Sequence, residues 1–314
     1  MDEIQRPAPL ENLRPAGQFF ILLGIALILM VGFSFLGVAV ATAYTHLSVF
    51  DLQGTAKINN PEVIRALKII QAISVVGSFI IPTFIMALLC SRKWLEFLNI
   101  KGKFKVSTFL LGGILILVAV PVINYLSEVN SHLQLPASMQ SAQDWIKNMD
   151  DENNIISNAF IAHQSIRGLI VNIFIMGFLA AVSEELFFRA GIQKIIIRGS
   201  GNIHVGVWLT AIIFSAIHLE FFGFLPRMLM GAYLGYLFVW SKSIWPSIFA
   251  HFLNNSVIVY ISYLEDRNML PKKIEDIGNQ SSQISYVIGS TILVAVLMFA
   301  IYKIEHRKTD TLQA

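Results

Sequence analysis

Eight apolar runs divide this sequence, and they constrain its fold more than any other feature. A helix needs about 20 mainly apolar residues to cross a hydrocarbon core about 30 Å thick, at about 1.5 Å of rise per residue. Runs that meet this requirement lie at 17–44, 69–90, 106–126 and 166–188. Shorter or interrupted ones follow at 205–219, 225–240, 244–263 and 285–304. The chain is 55% hydrophobic and 14% charged, whereas soluble domains average roughly 25% charged residues. So few charges cannot coat a water-facing surface. The fold expected is all-α, a polytopic membrane helix bundle of about eight transmembrane helices. The fifth and sixth runs are short and separated only by 220–224, so they suit either two crossings or a tight hairpin that does not fully cross.

Other features narrow the setting. Residues 1–15 hold acids, bases and three prolines but lack the basic-then-apolar order of a signal peptide, so residue 16 onward reads as a true span. The single cysteine, Cys90, excludes an intrachain disulfide or a thiolate metal cluster and reads as a packing residue. A net charge of +3 with no run of Lys and Arg gives no nucleic-acid surface. With the N-terminus inside, the inner segments hold 13 Lys and Arg and the outer loops nine, Arg227 counted among the latter. The positive-inside rule then puts both termini in the cytoplasm. The polar stretch 127–163 carries Trp145, Ile146 and Met149 at helical spacing and reads as an outer amphipathic helix at the rim of the bundle.

Within the fourth run stands Ser183-Glu-Glu-Leu-Phe-Phe-Arg189. Each charge at the centre of a membrane helix costs roughly 2.5–3.5 kcal/mol on insertion scales, so such residues face the bundle interior or a wet cavity. Glu185 and Arg189, at i and i+4, share a face and can pair. Glu184 lies about 100° around the helix and points elsewhere. A carboxyl without its own countercharge is fit to take a proton from water and pass it on. In the fifth run Phe214 sits one turn before His218 and can hold its ring. In the seventh, His251 and Asn255 share a face, and an imidazole N–H beside a carboxamide suits an oxyanion hole. Asn254, one position away, reads as a bond between helices.

Each piece also has a structural reading: a Glu–Arg pair as glue, a histidine tied to a carbonyl, an asparagine packed between helices. Together on three spans they favour chemistry. By helical rise His251 lies about 10–12 Å and Glu184 about 15 Å below the inner boundary. His218 reaches their level only if the fifth and sixth runs form a tilted or embedded hairpin, which Gly223 and Pro226 permit.

Glu-Glu-x-x-x-Arg, Phe-x-x-x-His and His-x-x-x-Asn, in order and in separate membrane helices, resemble the CPBP (Abi) family. That family contains type II CAAX prenyl endopeptidases and bacteriocin-processing or self-immunity proteins. The matching region is 168–263, about a third of the chain. The resemblance implies an intramembrane endopeptidase acting on a membrane-associated peptide or protein C-terminus, with or without a lipid. It implies that Glu184 and His218 activate water, that His251 and Asn255 stabilise the oxyanion, and that Glu185 and Arg189, with Phe214, hold the site.

Family members are often labelled metalloproteases. Glu184, His218 and His251 could ligate zinc with a fourth position open, but the His-Glu-x-x-His of zincins is absent, and a metal-free reaction is favoured. The expected organisation is a three-span region with its outer loop helix at 1–166, a catalytic core at 167–263, and a last span with a cytoplasmic tail at 264–314. The site would open in the cytoplasmic half of the membrane, the inner or plasma membrane in a bacterium. The competing class is a non-catalytic membrane protein: a scaffold, an immunity protein or a proton-coupled transporter.

Overall fold

A computed structural model describes residues 7–55, 57–132, 136–162, 165–270, 277–278 and 283–307. His163, Lys272, Lys273 and the charged residues at both chain ends that entered the orientation count (Arg6, Lys308) lie outside them.

All eight apolar runs are helical, and no strand occurs among the described residues. Helix α1 spans Pro15–Thr45 and α2 Pro61–Cys90. The start of α2 is set by Pro61 at its first turn and by the Asn60 side chain, which accepts from the Glu62 N–H at 2.9 Å. Helices α3 (Val106–Val118) and α4 (Val120–Ser131) make one run bent by 47°. Pro121, with no N–H to donate and a ring that crowds the preceding turn, sits at that bend. Helix α5 is Gln140–Ile161, and α6 is a single 35-residue helix, Ile166–Ser200. Then come α7 (Ile203–Ala216), α8 (Phe224–Ser241), α9 (Trp245–Asp266) and α10 (Ile284–His306).

Five of these, α1, α2, α6, α9 and α10, are long and apolar enough to cross a membrane, and α3 with α4 makes a sixth if the bent pair is one span. The count of about eight is thus approximate. The other two apolar runs are α7 and α8, which pack against each other. At 14 residues α7 is about 21 Å long, less than a bilayer's hydrocarbon thickness.

Helix α6 is the centre of the bundle. Its residues 186–193 are buried without interruption, as in a helix that is surrounded on all sides. Leu22 of α1 and Met86 of α2 pack with Phe187, Phe188 and Ile192 of α6 and Phe214 of α7. On another side Leu186 and Ala190 meet Phe238 of α8 and Ile248 of α9. A separate cluster joins Leu115 and Ile116 of α3 to Leu234 and Leu237 of α8 and Ile301 of α10. The outer faces are apolar too: Phe20, Ile28 and Phe35 on α1 and Ile292, Val296 and Phe299 on α10 are exposed. Apolar surface on that scale is what lipid covers. The chain is an integral membrane protein.

Helix α5 confirms the amphipathic element but corrects its inner face. Ile146, Met149 and Asp150 turn towards the bundle, while Trp145 is 59% exposed and points away.

Candidate active site

The cluster is built on α6, which is one helix but not a uniform one. Its stretches Ile173–Leu179 and Leu186–Gln193 are wound to π geometry, and Glu184 and Glu185 lie on the short α segment between them. Widened turns of this kind occur frequently at functional sites.

Glu185 and Arg189 pair as their spacing predicts. Arg189 Nε donates to Glu185 Oε2 at 3.0 Å and Nη2 to Oε1 at 3.3 Å, with both side chains fully buried. The guanidinium also lies 5.3 Å from the centre of the Phe214 ring, whose face attracts a cation.

His251 reaches both glutamates, a convergence that helix geometry alone does not predict. Its Nδ1 is 3.0 Å from Glu185 Oε1, and its Nε2 is 3.7 Å from Glu184 Oε2. The second separation is an ion-pair distance, too long for a direct hydrogen bond. Glu185 accepts, so Nδ1 carries the proton and Nε2 faces Glu184. The close approach of α6 and α9 that allows this depends on Gly177. A Cβ there would lie 2.6 Å from Ser256 Oγ. One residue before it, the Met176 carbonyl accepts from Asn255 Nδ2 at 3.1 Å. The Asn255 oxygen accepts from Asn254 Nδ2 at 3.1 Å, so Asn254 bonds within its own helix and not, as expected, across to another.

His218 follows the last turn of α7. Its Nδ1 is 2.7 Å from the Phe214 carbonyl, and the two rings meet edge-on at 4.9 Å. A carbonyl can only accept, so Nδ1–H donates and Nε2 keeps its lone pair for another partner. The Phe214 ring touches His251 as well, at 6.0 Å, and Phe188 of α6 at 5.1 Å. Phe214 therefore holds the first histidine by its carbonyl and lines both with its ring. No direct hydrogen bond joins His218 to Glu184. Leu219, the next residue, has a left-handed φ of 54°, a strained conformation for a branched side chain.

The turn after His218 is held from outside the hairpin. Phe222 N–H donates to Asp150 Oδ2 at 3.2 Å, Leu225 N–H to Asn130 Oδ1 at 3.4 Å, and Asn130 Nδ2 to the Phe221 carbonyl. Arg227, which sequence alone puts in an outer loop, lies instead in the first turn of α8, paired with Glu220. The signal that could have found it is its place inside an apolar run, where an ionisable residue is a functional candidate by default.

Among the described residues no three or more His, Cys, Asp and Glu side chains are grouped so as to hold a metal ion. Glu184 and His251 converge, and His218, held through Nδ1 by the Phe214 carbonyl, keeps Nε2 available. No step below is routed through a metal.

Residues 166–257 match the sequence profile of a family described as type II CAAX prenyl endopeptidase Rce1-like. That stretch contains every residue of the cluster. Over that stretch the chain is similar to the CPBP family, in which type II CAAX prenyl endopeptidases fall. A protein of Bacillus subtilis (strain 168) named "Putative membrane peptidase YdiL" is 26% identical over 128 residues, 41% of this chain. Those residues are 49% of that protein, so the match spans about half the length of the curated relative. No solved structure matches. The matched stretch runs from α6 into α9, and the glutamates, both histidines and Asn255 all stand on or beside these helices.

Proposed function

We propose that this protein is an intramembrane endopeptidase that hydrolyses a peptide bond with water activated by Glu184 and His218. The observation that carries this reading is the position of His251, 3.0 Å from Glu185 and 3.7 Å from Glu184. Glu185 is neutralised by Arg189, so it orients His251 without competing for the water's proton. Glu184 has no such partner and keeps 15% of its side-chain surface. It can accept a proton from water as the oxygen attacks the scissile carbonyl, and deliver that proton to the departing amine. His218, with Nε2 unengaged, is the second acceptor. His251, when protonated at Nε2 as well, and Asn255, through the Nδ2 hydrogen not given to Met176, are assigned to the oxygen of the tetrahedral intermediate, and no acyl-enzyme forms.

Residues 167–263 would supply the chemistry and the flanking segments its walls. Both termini would lie in the cytoplasm with the site opening in that half of the bilayer. The substrate class is a membrane-associated peptide or protein C-terminus, with or without a lipid.

The test uses the purified full chain in phospholipid vesicles with a mixture of fluorophore–quencher peptides carrying an apolar tail. Glu184→Gln and His218→Ala should each lower the cleavage rate by roughly 10²–10⁴-fold, with melting unchanged. A folded Glu184→Gln protein that cleaves as the unsubstituted one does would sink the peptidase reading in favour of a scaffold or transporter.

A further inference from the structure

A cavity of about 230 Å³ opens where α6 ends, lined by Phe97, Lys194, Ile195, Ile197 and Arg198. It holds two cations and no acid. Lys194 and Arg198 stand at i and i+4 on α6, so two like charges share one face, an arrangement that is unfavourable without an anion between them. Lys194 donates to the Phe97 carbonyl and, at 2.8 Å, to Asn99 Oδ1, and its ammonium lies 4.8 Å from the centre of the Phe97 ring. An ammonium carries three N–H donors, so one remains for a ligand. Arg198 is exposed. Among the described residues no carboxylate pairs with it or with Lys194. The loop 91–105, which supplies Phe97, adds five Lys and Arg against one acid, Glu96, and that acid is met by Lys93.

The cavity does not stand alone. Ile195 also lines an adjoining one of about 480 Å³, walled by Phe19 and Phe20 of α1, Gly199 of α6, and Leu209 and Ile213 of α7. Phe20 and Leu209 are exposed there, on the apolar surface that lipid covers. An anion-seeking cavity at a helix end thus meets an apolar groove that runs along the bundle.

The geometry points to a binding site for an anionic phospholipid, its phosphodiester between Lys194 and Arg198 and one acyl chain in the groove between α1, α6 and α7. The guanidinium fork matches two phosphate oxygens, and the ammonium adds a point charge. Basic cavities between membrane helices bind lipid headgroups on this principle. A zwitterionic lipid brings its own cation beside the phosphate, where Arg198 and the loop 91–105 repel it. A net-negative headgroup meets no such repulsion. The site uses none of the residues assigned to hydrolysis, so it stands or falls independently of the peptidase reading.

The test measures binding of a fluorescent phosphatidylglycerol to the purified full chain in neutral maltoside micelles, by anisotropy. Arg198→Gln should weaken binding roughly fivefold and Arg198→Glu roughly 25-fold, with melting in lipid-free micelles unchanged because Arg198 is exposed. Lys194→Gln should weaken it comparably; if that variant does not fold, having lost its hold on Phe97 and Asn99, the two Arg198 variants decide. Lys303→Gln, which removes one charge at the end of α10, should bind as the parent does. Unlabelled phosphatidylglycerol should displace the probe, phosphatidylcholine much less, and the soluble headgroup glycerophosphoglycerol least. Arg198 variants that bind as the parent overturn the assignment. So does a loss in Lys303→Gln equal to that in Arg198→Gln, which would mean diffuse attraction to the surface. Equal displacement by phosphatidylcholine removes the preference for an anionic lipid, and equal displacement by glycerophosphoglycerol replaces the lipid with a free phosphate ester.

Discussion

Replacing Arg189 with methionine tests the architecture of the site without touching the residues assigned to the water. Both partners of the pair are fully buried, with nitrogen–oxygen distances of 3.0 and 3.3 Å. At an effective dielectric constant of about 20, two unit charges 3 Å apart attract by roughly 5 kcal/mol, part of which offsets their loss of hydration. Removing one partner of a buried pair typically costs 3–5 kcal/mol, because the other charge is left uncompensated. Here the cost should fall near the lower end, at roughly 3 kcal/mol. His251, 3.0 Å away, is the one other neighbour able to set a positive charge against Glu185. A proton committed there is lost to the Glu184 side, so Arg189→Met should impair cleavage even where the protein stays folded. The assay is reversible unfolding in mixed micelles, followed by tryptophan fluorescence, with cleavage measured on the same samples. The double variant Glu185→Gln with Arg189→Met should regain most of the stability and little of the activity. A single variant within about 1 kcal/mol of the parent would refute the reasoning, since it would mean that Glu185 does not depend on the Arg189 charge.

Two further substitutions probe how the cluster is assembled. Gly177→Ala puts a Cβ 2.6 Å from Ser256 Oγ, so α6 and α9 must separate or Ser256 must move; a loss of about 1–3 kcal/mol is expected, with cleavage falling further than stability as His251 leaves the glutamates. Melting and cleavage together check this, and a fully active Gly177→Ala protein would show that the contact is slack. Leu219→Gly relieves the left-handed backbone at φ 54°, worth roughly 1–2 kcal/mol and partly offset by the greater freedom of glycine when unfolded; the midpoint should hold or rise while cleavage drops, because His218 is less firmly aimed.

How far the sequence goes depends on whether a feature is local. Apolar runs and i, i+4 spacing are local, so the helices, the Glu185–Arg189 pair and the hold of Phe214 on His218 are all legible there. The meeting of His251 with both glutamates is not, because it depends on how closely α6 and α9 approach at Gly177. Whether Glu184, His218 and His251 face one point is equally non-local, because three suitable residue types in suitable spans say nothing of how the spans approach one another. Trp145 and Met149 share a spacing, and only the burial of Asp150 decides which way that face points.

The short helix α7 explains why polar side chains from other helices gather at the turn that follows it. A helix of 14 residues reaches about 21 Å, so the chain must reverse before it has crossed a hydrocarbon core of about 30 Å. A reversal exposes backbone N–H and C=O groups, and inside a membrane these must be satisfied by protein. Asp150 of α5 and Asn130 of α4 do this for Phe222, Phe221 and Leu225. The outer amphipathic helix, read from sequence as a rim element, is therefore tied directly to the turn that carries His218 at one end and Arg227 at the other.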